Sequence, residues 1–170
     1  MIEFARWLQT TRLSVTIQSS EWIIPLVQSI HIVMIGIVFV SILMVVLRIF
    51  GRVRTDQPFA EVWGRFAPWM WTGLVVMTAT GLVLIVGEPV REFTSTSFWL
   101  KMLLIAIGAG SAALFARRSG ALAAQGPVEF SGGTKAAAAV TVALWLAIIF
   151  LGRAIAYDVE VWGSLSLARG

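Results

Sequence analysis

Four long apolar runs divide this chain, and each is long enough to cross a lipid bilayer. They cover roughly Trp22 to Phe50, Phe66 to Val86, Phe98 to Phe115 and Ala136 to Tyr157. A helix needs about 20 residues to span the hydrocarbon. In lipid only helices and closed barrels satisfy their own backbone. The runs are continuously apolar rather than alternating, which selects helices. The expected fold is all-α, an integral membrane four-helix up-down bundle over residues 22–160. An interfacial segment (1–21) precedes it and a short tail (161–170) follows. The first run exceeds the need, which predicts tilt or an extension beyond the bilayer.

Composition agrees. The chain is 58% hydrophobic and 13% charged, with mean hydropathy +0.87, whereas soluble domains carry about 25% charge. There is too little polar surface to cover a soluble globule. Thirteen bases, eleven of them Arg, face nine acids. They sit in short clusters between apolar runs rather than on one face, which argues for a lipid partner and against nucleic acid. Cysteine is absent and His31 is the single histidine. Disulfides, thiolate metal sites and multi-histidine sites within one chain are therefore excluded. No phosphate loop, no HExxH and no Ser-His-Asp set is present. Six scattered methionines do not make a copper path.

Orientation follows from Arg and Lys. The loops after the first and third spans hold Arg48, Arg52, Arg54, Arg65, Arg117, Arg118 and Lys135 against three acids. The tails and the middle loop hold six bases and six acids. This predicts that both termini face outside, with the two basic loops in the cytoplasm. Residues 1–20 contain Glu3, Arg6, Arg12 and Gln18 and do not read as a cleavable signal. Phe4, Trp7 and Leu8 suit one face of an interfacial helix, with a frayed end as the alternative. Ser119, Gly120, Gly126, Pro127, Ser131, Gly132 and Gly133 predict a flexible linker before Lys135.

Helices in lipid associate by close packing of small residues. Ala139, Ala143 and Ala147 share one face, which is expected to be buried against protein. Gly108 with Ala112, and Gly73 with Thr80 and Gly81, make comparable faces, and the three are expected to pack together. Of eight tryptophans, Trp22, Trp63, Trp99 and Trp162 flank the spans as interfacial anchors. Trp69 and Trp71 follow Pro68 and suit either that belt or a flat site.

His31 lies roughly 13 Å below Trp22, at 1.5 Å per residue. Buried ionisable groups need partners, and Gln28, three residues back, can reach the ring. Two readings stand. His31 is a packing residue bonded to Gln28 or a backbone carbonyl, or it is a ligand, to a metal or to haem b. A haem would need a second ligand: Met77, Met70 or Met102, or His31 of a second chain. Met34 shares the helix of His31 and cannot reach the opposite haem face. Lys101 and Arg153 are expected near the outer interface, paired with Glu88, Glu92, Asp158 or Glu160, or holding a quinone or an anionic headgroup.

Trp22-Ile-Ile-Pro25-Leu-Val-Gln-Ser-Ile-His31, Leu47-Arg48 with Gly51, Pro68-Trp69 with Trp71 and Gly73, Thr80-Gly81, and Phe98 with Lys101-Met-Leu-Leu104 carry a resemblance. Residues 22–116 resemble a family of small four-helix bacterial inner-membrane proteins with no firmly assigned activity. That bundle is loosely similar to membrane b-type cytochromes and copper-resistance membrane proteins. Val46 stands where the family often has an acid, and Ser111 and Ala116 where it often has Asn and a second His. If those two histidines serve one site, this chain keeps half of it.

Three functions follow as expectations. The first is a non-enzymatic subunit or homo-oligomer joined by small-residue faces. The second is a haem b electron-transfer module working with a quinone through His31. The third is a small-solute or metal transporter.

Overall fold

The computed structural model describes residues 1–122 and 129–167, the side chains of 114–122 excepted; Gly126 and Pro127 of the expected linker and Ala116 of the family comparison fall outside that description. The described residues form helices and connecting turns with no strand. Two short helices, α1 (Ile2–Gln9) and α2 (Arg12–Ser19), precede α3 (Ile23–Ile49) and α4 (Phe59–Gly87). After the one-turn α5 (Pro89–Phe93) come α6 (Thr96–Leu122), α7 (Gly132–Ala154) and the short α8 (Asp158–Trp162). Four helical segments are long and apolar enough to cross a membrane: α3, α4, the first part of α6, and α7 with the helical turns that continue it to Leu165. The chain is a multi-pass membrane protein, and its outward apolar side chains fit lipid. Val75, Leu82, Leu103, Val140 and Phe150 all point away from the bundle.

Local chemistry explains several boundaries. Pro25 sits in the first turn of α3, where its missing N–H has no helical partner to lose. Helix α4 starts at Phe59, about two turns before the apolar run. Its extra turns carry Glu61 and Arg65, joined by an exposed ion pair at 3.5 Å. Pro68 lies inside α4 without ending it. The expected linker is shorter than the glycines suggested. Ser131 caps α7 by accepting the Thr134 N–H at 3.3 Å, so Gly132 and Gly133 form its first turn.

The dominant contact is α3 against α4, followed by α6 against α7 and α3 against α7, while α4 and α6 barely touch. Glycines set the close approaches. A Cβ on Gly73 would lie 2.6 Å from Val38 Cγ2, and one on Gly108 3.0 Å from Leu144 Cδ2. Thus Gly73 and Gly81 face α3, and Gly108 faces α7. The three small-residue faces do not converge on one contact.

The alanine face of α7 is not used within the chain. Helix α7 buries Ala138, Trp145 and Ile148, whereas Ala139 and Ala143 are exposed and Ala147 is half-buried. The bulky Trp145 and Ile148 of α7 itself take the inward face, which leaves the smooth stripe outward.

The end of the bundle that carries the termini is tied by polar side chains. Asp158 accepts from Ser95 Oγ (2.7 Å), Ser97 N (2.9 Å), Thr96 N (3.2 Å) and Ser166 Oγ (2.6 Å). A carboxylate from the C-terminal segment thus satisfies the free N–H groups that open α6. Trp162 Nε1 donates to Ser97 Oγ at 2.8 Å. The N-terminal arm is docked rather than frayed. Ala5 is fully buried, Phe4 meets Phe93 edge-on, and Ser14 Oγ donates to Val86 O at 2.7 Å.

Candidate functional site

His31 is the one intramembrane histidine, and its surroundings come from the α3–α4 seam. Its ring is buried, and Nδ1 lies 2.7 Å from Thr80 Oγ1. Thr80 Oγ1 also donates to Val76 O at 2.8 Å. A hydroxyl has one proton. The Thr80 hydroxyl and Nδ1 therefore share a hydrogen bond that fixes the orientation of the ring, its direction set by the imidazole tautomer. Gly81 lies beside the ring, where a Cβ would make an ordinary contact with His31 Cε1 at 3.7 Å. Thr80 thus orients the imidazole across the α3–α4 seam. Gln28, the expected partner, is exposed and makes no hydrogen bond to the ring. Helix geometry explains this. Gln28 and His31 are about 60° apart around α3, and the inward direction belongs to His31.

Met77 is buried in the apolar core one turn from Thr80. It shares the α3–α4 seam with His31, and that seam is closed at Gly73 and Gly81. A porphyrin does not fit between His31 and Met77 within one chain. Met70 is also buried, but it lines a cleft near the other end of the bundle. Met102 is half-buried on α6. Among the described residues no three His, Cys, Asp or Glu side chains gather into a metal-binding group.

Lys101 stands between His31 and the terminal end. Its ammonium runs along α7 where Gly152 leaves space, and a Cβ there would sit 3.5 Å from Nζ. It acts electrostatically on both His31 and Glu92. Burial pushes the Glu92 carboxyl above its ordinary range, and the charges of Lys101 and Arg91 pull it only partly back. Arg153 makes no ion pair among the described residues. It donates to Tyr157 Oη at 3.1 Å and lies over the same ring. The ion pair at this end joins Arg91 to Glu88 at 2.7 Å. Asp158, an expected partner of these bases, is occupied by the α6 cap instead.

The sequence reading missed both Thr80 as the partner of His31 and Asp158 as a cap. Ser95-Thr96-Ser97 was the available signal, a run of hydroxyl residues opening an apolar helix. No protein-family model, curated protein or solved structure matches this chain.

Proposed function

We propose that this protein works by association, as a non-catalytic bundle of a bacterial inner membrane that pairs with a second copy of itself through α7. The observation that carries this is the outward placement of Ala139 and Ala143, four residues apart, opposite the buried Ala138, Trp145 and Ile148. Small residues at that spacing let a second helix approach closely in lipid. Helix α6 adds exposed Ala106 and Gly110 at the same spacing, and a Cβ on Gly110 would meet nothing within 4 Å. Both termini face outside, so reporter fusions at Gly126 and Gly170 give opposite signals.

The test is the mass of the purified protein in a mild detergent. Wild type runs as an oligomer, and Ala143→Leu runs as a folded monomer. A monomeric wild type, or an Ala143→Leu variant with unchanged mass, refutes the reading.

One observation favours a second reading, haem b binding: Thr80 orients the imidazole through Nδ1, as outer-shell partners of metal-bound histidines do. Because His31 and Met77 cannot flank a porphyrin in one chain, the second ligand would be His31 of a second copy. When bound, such a haem would supply one-electron chemistry. A Soret band lost in His31→Ala, at about one haem per two chains, supports this reading. Its absence after haem supplementation removes it.

A further inference from the structure

We infer that α1 is an in-plane membrane helix, which inserts Phe4 and Trp7 into the acyl–headgroup boundary of the leaflet at the terminal end of the bundle. Successive helical residues advance by about 100°, and this divides α1 into three sectors. Ala5 is fully buried and Leu8 half-buried, so their sector faces the protein, where α1 packs on α5. Phe4 and Trp7, about 60° apart, form a second sector and are 52% and 60% exposed. Glu3, Arg6 and Gln9 form the third, and all three are exposed. A helix on the surface of a soluble protein needs only an apolar inward face and a polar outward one. A third, apolar and outward sector beside the polar one is the pattern of a helix at the boundary of lipid and water.

Two observations put that sector at the level of lipid. The first is a row of rings. Trp7 meets Phe4 at 5.6 Å, Phe4 meets Phe93 edge-on at 5.8 Å, and Phe93 meets Trp99 at 5.9 Å. Trp99 Nε1 also donates to Phe93 O at 3.1 Å. Trp99 lies in the first turn of α6, whose apolar segment begins at Thr96. The row thus starts where a span enters the bilayer and runs sideways to α1. Aromatic rings at that level form the interfacial belt of a membrane protein. Trp22, the N-cap of α3, is exposed as well, so the belt has members on α1, α3 and α6. The second observation is the tether. Ser14 Oγ of α2 donates to Val86 O in the last turn of α4. Ile17 of α2 and Ile24 of α3 both close on Gly87, where a Cβ would lie 3.2 and 2.5 Å from them. The arm is therefore fixed at the height of the span ends and does not stand off into water. The occupant of the Phe4–Trp7 face is the lipid of the leaflet that the bundle itself crosses.

The test uses the full chain in liposomes of phosphatidylethanolamine and phosphatidylglycerol. The chain has no cysteine, so Glu3→Cys, Phe4→Cys, Arg6→Cys and Trp7→Cys each take a single nitroxide label. Collisions are read against oxygen, which concentrates in lipid, and against a nickel chelate, which stays in water. Labels at positions 4 and 7 collide mainly with oxygen, at a depth of roughly 5–10 Å. Labels at positions 3 and 6 collide mainly with the nickel chelate. Nickel access at 4 and 7 equal to that at 3 and 6 puts the arm in water and overturns the proposal. Few collisions with either reagent at 4 and 7 mean that a second copy or another protein covers the face, which overturns it too. Because two of these substitutions remove rings from the row, a second measurement keeps Phe4 and Phe93 in place. The tryptophan emission lost in Trp7→Phe is quenched in wild type by lipids brominated high on the acyl chain. If that emission is indifferent to the brominated lipid, the proposal fails.

Discussion

The two ends of the bundle are held by different forces. At the terminal end, side-chain hydrogen bonds join segments far apart in sequence: Asp158 to Ser95, Thr96 and Ser97, Trp162 to Ser97, Ser14 to Val86, and His31 to Thr80. At the basic-loop end the core is apolar, built from Val45, Val46, Ile49, Phe59 and Phe130. Its main polar anchor is Arg48, which donates twice to Gln57 O, at 3.2 and 2.8 Å. The difference teaches where freedom lies. Directional bonds fix the terminal end in one arrangement. Apolar contact at the other end leaves a cleft between α4 and α6.

The largest expected effect comes from breaking the terminal end. Asp158→Ala strands two backbone N–H groups and two hydroxyls in a buried place. It should cost about 3 kcal/mol, combining a lost cap with hydrogen bonds to a charge. Hydrogen exchange should rise first at residues 95–98, with residues 42–49 nearly unchanged. Uniform loss across both ends would show that the ends are not separate.

The seam between the ends is the next target. In Gly73→Ala the new Cβ meets Val38, which is fully buried and branched at Cβ and so cannot swing aside. Overpacking of this kind costs about 1–3 kcal/mol, read as a lowered Tm in detergent. Gly36→Ala on the adjoining helix, where a Cβ would meet nothing within 4 Å, should change Tm little.

A smaller effect depends on pH. The folded protein holds Glu92 with a raised pKa, so the native state binds more protons than the unfolded one, and stability falls as pH rises above about 4.5. Glu92→Gln removes the cost of a buried charge. It should raise Tm slightly at pH 7, with the gain fading below pH 4.5 as wild-type Glu92 becomes neutral. A gain that persists at low pH would assign the effect to packing instead.

Sequence carried the spans well, because twenty apolar residues in a row have few other uses. It carried the ends of helices less well. Glu61 and Arg65 look like loop residues but occupy helical turns beyond the apolar run. Gly132 and Gly133 look like linker, but Ser131 caps them into α7. The partner of His31 was not legible, since Thr80 is 49 positions away and only the α3–α4 packing brings it near. Nor was the direction of the alanine stripe. Ala138 begins a face that continues through Val142, Trp145 and Ile149, and Ala139 one that continues through Ala143 and Ala147, and spacing alone cannot say which one turns inward.

That direction is the central claim, and the absence of cysteine makes it directly measurable. Ala143→Cys and Ala138→Cys each place one thiol in a chain that has no other. Under mild oxidation in native membranes, Ala143→Cys should form a disulfide-linked dimer and Ala138→Cys should not. Dimers from Ala138→Cys with none from Ala143→Cys would contradict the account.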